Sequence, residues 1–597
     1  MTKKMLRIVA FCLVVGMLFA GCSGAPSVQW DPMDGVTLPA DNGKVNGPRE
    51  TQPTEPVDVL TGVLGDILGE DGSHGGVLDD VSSGGIKKLL TGAKVTKFSE
   101  MEYIRPDMDA FEQLVLESCR IAETETDADQ VMDTVYSFYD AYDRFYTDYF
   151  LADIHYNCDL TDTYWEQEYN YCLENASVVD AGIEELFYAL AKSPIREELE
   201  TDEYFGEGYF DYYDGESVWD EEYLALLEQE AKLQSEYYEL FAQAGDVEYY
   251  SDAYFSKYGT QMAELLVELI AVRQKIAARA GYDSYPEYAY DYYHARDYTP
   301  AEAEAYLEQV GEQLADIYWD VNQSDVWYNA YAYCSQEDTF AYVKTAAENM
   351  GGNVKKAFSC LEEGGLYDIS YSANKMDGAY EVYLWSYQEP FIFMAPYEDQ
   401  SDKLTFVHEF GHFANDYVCR GSMAGTDVAE VHSQAMEYLS LLYGEDTEDL
   451  KAYKMADSLC TYVEQAAYAL FEQRAYELEG DELTVENVTA LYKQICTDFG
   501  FESWNWDYRD FVIINHFYTN PMYIVSYVVS NDVAFQIYQL ELEEDGAGLE
   551  VYQQCLESME TYLIYFTECY GLESPFADGR LEDVDQILET ELAEYLD

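Results

Sequence analysis

Between Thr405 and Asp416 the chain reads TFVHEFGHFAND, which sets two imidazoles and a carboxylate within one helical turn. On a helix, His408 and His412 lie one above the other, so both rings reach a single tetrahedral ion. Glu409 projects beside that ion and can take a proton from its water, whose pKa zinc lowers to about 7. The chemistry is metal-assisted hydrolysis with one zinc ion. The bland alternative is a surface helix that happens to carry two histidines. Against it, Phe406, Val407, Phe410 and Phe413 make the helix apolar, and burying imidazoles without a purpose is costly. Gly411 keeps the helix slim where something must approach.

A catalytic zinc takes a third protein ligand and keeps a fourth position open. The following helical stretch, GTDVAEVHSQAMEYLSLLY, offers Glu430, 18 residues after His412. Asp427 and Glu430 also form a D-x-x-E capping pattern, a structural role for the same side chain. Glu437, seven residues on and on the same face, is a rival ligand, and Asp427 is a third candidate. Spacing favours Glu430 without deciding.

Helices must position these groups. From about residue 96 helical periodicity dominates. QMAELLVELIAVRQKIAARAG repeats Leu265, Leu266, Leu269, Ile270 and Ile276 at three- and four-residue steps and stops at Gly281. Thr299, Pro300 and Glu302 spell a capping box, and Thr484 caps another helix. One region departs: GAYEVYLWSYQEPFIFMAPY, residues 378–397, reads as a strand pair or small sheet with Pro390 between its runs. The Gly378-Ala379-Tyr380 segment is a candidate substrate edge, because an extended peptide adds as a strand and glycine permits close approach. The acidic, aromatic tract 203–223 reads as a solvated surface insertion.

The chain has 597 residues, 48% hydrophobic, with 117 acidic against 32 basic residues and a formal charge of −85. Such a surface repels phosphate backbones and excludes nucleic acid as a partner. Lys3, Lys4 and Arg7, the short apolar run Ile8 to Phe19, and Ala20-Gly21-Cys22 make residues 1–22 a signal segment. FAGC resembles the bacterial lipoprotein processing site, which implies lipidation of Cys22 and a chain held outside the membrane by that anchor alone. Residues 23–95, rich in Gly, Ser, Pro, Asp and Thr, read as a flexible linker. Residues 96–259 then form an N-terminal helical region and 260–597 the catalytic region. Ten cysteines remain after Cys12 and Cys22, with no CxxC pair to make a thiolate metal site.

HEFGH followed by AEVHSQAMEYL resembles the thimet oligopeptidase and oligoendopeptidase F family of zinc metallopeptidases. The likeness extends to LYDISYSANKMDGAY upstream, YALFEQRAYEL at 468–478 and INHFYTNPMYIVSYV at 514–528, and so covers about residues 260 to 597. The N-terminal third matches only in being helical. The resemblance implies a mainly α, multi-helical metallopeptidase with a deep substrate channel and a small β-sheet next to the HExxH helix. It implies that Glu430 completes the zinc site, and that His516 with Tyr523 or Tyr527 stabilises the transition state. Short peptides, excluded from being folded proteins by the channel, are its implied substrates, and a monomer is expected. Pro521 and Val525 interrupt the tyrosine-rich run usual in the family, and His432 stands where the family carries a small residue or proline. Two rivals are a lipoprotein that binds peptides without cleaving them and a metallo-carboxypeptidase.

Overall fold

A computed structural model describes residues 95–596, other than 202–203, 207, 215–220, 244–251, 423, 446 and 502–509. The expected signal segment, Cys22 and the linker to residue 94 lie outside the described residues. The described chain is mainly helical. It opens with three long helices, α1 (Met108–Thr124), α2 (Ala128–Cys158) and α3 (Thr163–Ala191), packed on one another. Each begins on an aspartate, Asp107, Asp127 and Asp162, whose carboxylate accepts main-chain N–H groups left open by the first turn.

Helices α4 (Glu221–Gln243) and α5 (Thr260–Ala280) pair next. Leu265, Leu266, Leu269, Ile270 and Ile276 of α5 are all buried, and Gly281 ends it at φ 90°, a left-handed conformation natural to glycine. Thr299 caps α6 (Pro300–Asn322): its hydroxyl accepts from Glu302 N–H, and Glu302 accepts from Thr299 N–H. Helices α7 (Gln336–Met350) and α8 (Gly352–Gly364) lead into a three-stranded sheet.

That sheet has the order β1–β3–β2, with β1 (Tyr367–Asp368) parallel and β2 (Ala379–Leu384) antiparallel to β3 (Glu389–Met394). The register Tyr383↔Pro390 puts Pro390 inside β3 rather than between two strands. The chain turns instead at 385–388, closed by Tyr387 N–H to Leu384 C=O. Pro390 is tolerated because β1 pairs only with Ile392 and Phe393, so no ladder bond is asked of its missing N–H on that side.

Both longer strands pack on α9 (Asp402–Cys419), which carries the histidine motif, and α9 packs on α10 (Thr426–Tyr443). Helices α11 (Glu448–Ala475), α12 (Val485–Asp498, capped by Thr484) and the short α13 (His516–Thr519) follow. Then comes α14 (Ile524–Glu543), buried on every face from Ile524 to Tyr538 and packed between α10 and α11. Helices α15 (Ala547–Cys555), α16 (Leu563–Tyr570) and α17 (Arg580–Glu591) close the chain. Among the described residues, no helix is long and apolar enough to cross a membrane, and the ten cysteines from Cys119 to Cys569 are free thiols.

The 203–223 tract is not the solvated insertion its acidity suggested. Phe205, Tyr209, Phe210, Tyr213 and Tyr223 are buried, and the rings of the first four gather around Phe187 of α3. Asp211 and Asp214 face out, where they pair with Arg196. Aromatic burial outweighs the charge because the two sets of side chains occupy opposite sides of the segment.

Candidate active site

The site forms where α9 crosses α10. Phe406, Val407, Phe410 and Phe413 bury one side of α9, and that leaves His408 and His412 on the side facing α10. Gly411 marks the crossing. A Cβ there would sit 2.5 Å from Ser433 Cα and 2.6 Å from the His432 carbonyl oxygen, both main chain of α10. What approaches the slim point of the motif helix is therefore its neighbouring helix. Gly411→Ala should force the two helices apart and cost about 2–3 kcal/mol, the usual scale of core overpacking. Chemical denaturation checks this; an unchanged midpoint and slope would show that the crossing yields freely.

One ligand atom each from His408, His412 and Glu430 lies within 4.8 Å of the other two. His408 Nε2 is 3.4 Å from Glu430 Oε2. Glu430 is buried at 1% exposure while both histidines keep some exposure, so the cluster opens on the histidine side. Glu430 is held from behind: Oε1 accepts from the Tyr523 hydroxyl at 2.6 Å, and Oε2 accepts from Ser433 Oγ at 3.0 Å. The expected capping role is absent. Helix α10 begins at Thr426 with Gly425 as its cap, so Asp427 falls inside the first turn.

The rival acids have other partners. Asp427 accepts from Arg296, Tyr298 and Ser526. Glu437 accepts from His408 Nδ1 at 2.8 Å through one oxygen and pairs with Lys454 Nζ at 2.7 Å through the other. Burial pushes the Glu437 carboxyl up, but Lys454 and His408 overcome this and hold it below its usual value. An ionised Glu437 can only accept, so Nδ1 of His408 carries hydrogen and Nε2 turns towards Glu430. Sequence reasoning missed Lys454, which no local pattern marks.

Charge at the site favours a cation. Burial would lower the His408 pKa, yet the Glu437 hydrogen bond and the charges of Glu430, Glu437 and Glu409 raise it to about 9. His412 is held well below its usual value, by burial and then by His408 and His432, and so is neutral. Its buried Nε2 has no hydrogen-bond partner in the protein, and neither has Oε2 of Glu409. Burial, with Glu430 and Glu437 adding to it, pushes Glu409 up to about 8 despite His408. Two nitrogens, one carboxylate oxygen and an orphaned lone pair fit a zinc ion.

A second group of side chains lines up beside Glu430. His516, at 1% exposure, approaches the Tyr527 hydroxyl through Nε2 at 3.3 Å, and burial lowers its pKa to about 4. The Tyr523 ring lies 5.7 Å from that of His516 and 5.2 Å from that of Tyr527. The structure thus brings His516, Tyr523 and Tyr527, named from sequence, together beside Glu430. Strand β2 is an edge strand packed on α9, and Gly378 precedes it at φ 132°, where only glycine sits without strain. Tyr380 stacks on Phe393 and accepts from Asn157 of α2, so its side chain is committed to packing. The His432 ring faces Tyr552 and Phe566.

Comparison with known proteins adds to this geometry. Residues 98–216 match the sequence model of the Peptidase M3 N-terminal domain. The N-terminal region therefore resembles the family in sequence as well as in being helical, contrary to the expectation from the motifs. A solved structure described as an oligoendopeptidase F aligns over 83% of this chain and 99% of its own, at 22% identity and a TM-score of 0.71. PZ peptidase A with an inhibitor aligns over 83% and 99%, at 20% identity and a TM-score of 0.71. An oligoendopeptidase F from Bacillus anthracis aligns over 84% and 99%, at 19% identity and a TM-score of 0.69. At these identities the likeness is one of fold. No match was found among curated proteins.

Proposed function

We propose that this chain, a peptidase of the M3 and oligoendopeptidase F family by its N-terminal domain and its fold, is a zinc-dependent endopeptidase that hydrolyses short peptides. The observation that carries the reading is the His408–His412–Glu430 cluster with Glu409 beside it, its buried Oε2 unpartnered. His408, His412 and Glu430 would hold one zinc ion, which when bound supplies Lewis acidity, acidifying water and polarising a carbonyl.

The chain's own residues account for the remaining steps. Glu409 takes a proton from water as its oxygen attacks the peptide carbonyl carbon, then returns that proton to the amine nitrogen as the C–N bond breaks. The products are a carboxylic acid and an amine. Negative charge grows on the carbonyl oxygen, and Tyr523, Tyr527 or His516 on that wall would donate to it. The edge strand β2, led by Gly378 and Ala379, would align the substrate as an added strand. The fold shared with oligoendopeptidases supports a deep channel and short substrates, and an N-terminal lipid on Cys22 would hold the enzyme outside the membrane.

The test is mass-spectrometric mapping of cuts in a mixed pool of peptides with free and blocked C-termini, before and after chelation and zinc return. Internal cuts in both sets, lost on chelation and restored by zinc, are expected. Metal bound without any cut would make the chain a binder. Cuts confined to free C-termini would make it a carboxypeptidase.

A further inference from the structure

The chain is short of cations, yet among the described residues it buries the side chains of Arg273 and Arg296 completely. Each has an acid partner, Glu230 and Asp427 respectively. Each also sends its guanidinium to main-chain carbonyls of one short segment. Arg273 donates to the carbonyls of Phe517 at 2.6 Å and Tyr518 at 2.5 Å. Arg296 donates through Nη2 to the carbonyl of Met522 at 2.8 Å. This is the segment between His516 and Tyr523.

The grip is tightest just before Tyr523. Met522 has φ 64°, a left-handed conformation that costs a side-chain-bearing residue energy and persists only where its surroundings impose it. Both of its main-chain groups are held, the carbonyl by Arg296 and the N–H by Glu472 Oε1 at 3.0 Å. The preceding carbonyl, of Pro521, lies 2.9 Å from His294 Nε2. A carbonyl only accepts, so Nε2 carries the hydrogen and Nδ1 accepts from Thr426 Oγ1 at 3.1 Å. Residues 294–296 themselves turn through Ala295 at φ 50°, a second strained position.

These contacts lead to the helix that carries Glu430. Thr426 and Asp427 are in its first turn, and Asp427 receives Arg296 Nε at 3.2 Å and Ser526 Oγ at 2.5 Å. The loop before Tyr523 and the first turn of α10 are therefore fastened to the same two side chains, His294 and Arg296.

We propose that Arg296, with His294 and with Arg273 at the far end of the segment, is a positioning residue: it locks the strained Met522 turn so that the Tyr523 hydroxyl is held at the metal-binding carboxylate. The proposal rests on the reading of Tyr523 as a transition-state donor. A clamp that served folding alone would have no reason to converge on one strained turn beside that hydroxyl.

The test compares Arg296→Lys, Tyr523→Phe and the double variant. Lysine keeps the charge beside Asp427 but lacks the planar fork that reaches Met522, Ser526 and Asp427 together. Arg296→Lys should lower kcat about tenfold or more with KM within about twofold, the signature of a misplaced group rather than a lost substrate contact. Combined with Tyr523→Phe it should cost less than about twofold further, since the group it positions is gone. Amide exchange should quicken at Met522 to Ile524 and nowhere else. Equal losses in both backgrounds, or unchanged exchange at those amides, would overturn the proposal. Should Tyr523→Phe alone leave kcat intact, the donor reading fails, while the exchange result still decides whether the clamp exists. If the lysine variant does not fold, His294→Leu removes the Pro521 contact, and the same pattern is expected at smaller size.

Discussion

Glu409→Gln keeps its metal and loses peptide cleavage by roughly 10²–10⁴-fold, the range that a positioned general base contributes. The amide matches the carboxylate in size and leaves His408, His412 and Glu430 untouched, so the metal should be retained in full. What disappears is the unpartnered carboxylate oxygen of Glu409 beside the ligand cluster. Burial, reinforced by Glu430 and Glu437, pushes Glu409 up to about 8. Its raised proton affinity suits a group that takes up a proton and hands it on at neutral pH. Single-turnover cleavage of one internally cut peptide, beside metal analysis of the same sample, makes the comparison. A variant with full metal and full rate would remove Glu409 from the chemistry.

Glu430→Gln should instead lose the metal. The side chain sits 3.4 Å from His408 Nε2 with both oxygens already held by Tyr523 and Ser433, so the pocket is shaped around a fixed carboxylate. An amide can still accept from Tyr523, but it brings no charge to a cation. Removing outer partners of metal ligands costs about 10–100-fold in affinity, and the loss of a ligand should exceed that. Glutamine keeps the side chain's volume and its oxygen still accepts from Tyr523, so the unloaded protein should fold, less stable by about one hydrogen bond because the amide NH2 cannot accept from Ser433. The readout is thermal unfolding with and without zinc. Metal that binds only the native state raises the melting temperature, and in Glu430→Gln that rise, measured against the variant's own unloaded melting point, should vanish. An undiminished rise would exclude Glu430 as a ligand.

The features read most fully from sequence are those decided within a few residues. The caps at Thr299 and Thr484 and the stop at Gly281 depend on side chains and turns within one helical turn, and all three form as spaced. The HExxH pair is local in the same sense. Asp427 shows where such reasoning ends, since its capping pattern is intact in the sequence yet its carboxylate goes to Arg296, 131 positions away. Nothing near Asp427 announces that partner. Lys454, on α11, likewise reaches Glu437 of α10 only once the helices have packed. The turn at 385–388 was obscured by Pro390, which looks like a strand breaker until the two-residue length of β1 is known. In the 203–223 tract, charge hid an aromatic cluster because composition does not record which side of a segment each residue occupies.

X-ray absorption at the zinc edge, on protein loaded with one equivalent of zinc, tests the centre of the account most directly. Two imidazoles and a carboxylate predict nitrogen and oxygen neighbours at about 2.0–2.2 Å, with the outer-ring scattering of two histidines. The same spectrum from Glu430→Gln should change or be lost. A sulfur shell near about 2.3 Å would assign the ion to cysteine thiolates instead and contradict the site at His408, His412 and Glu430.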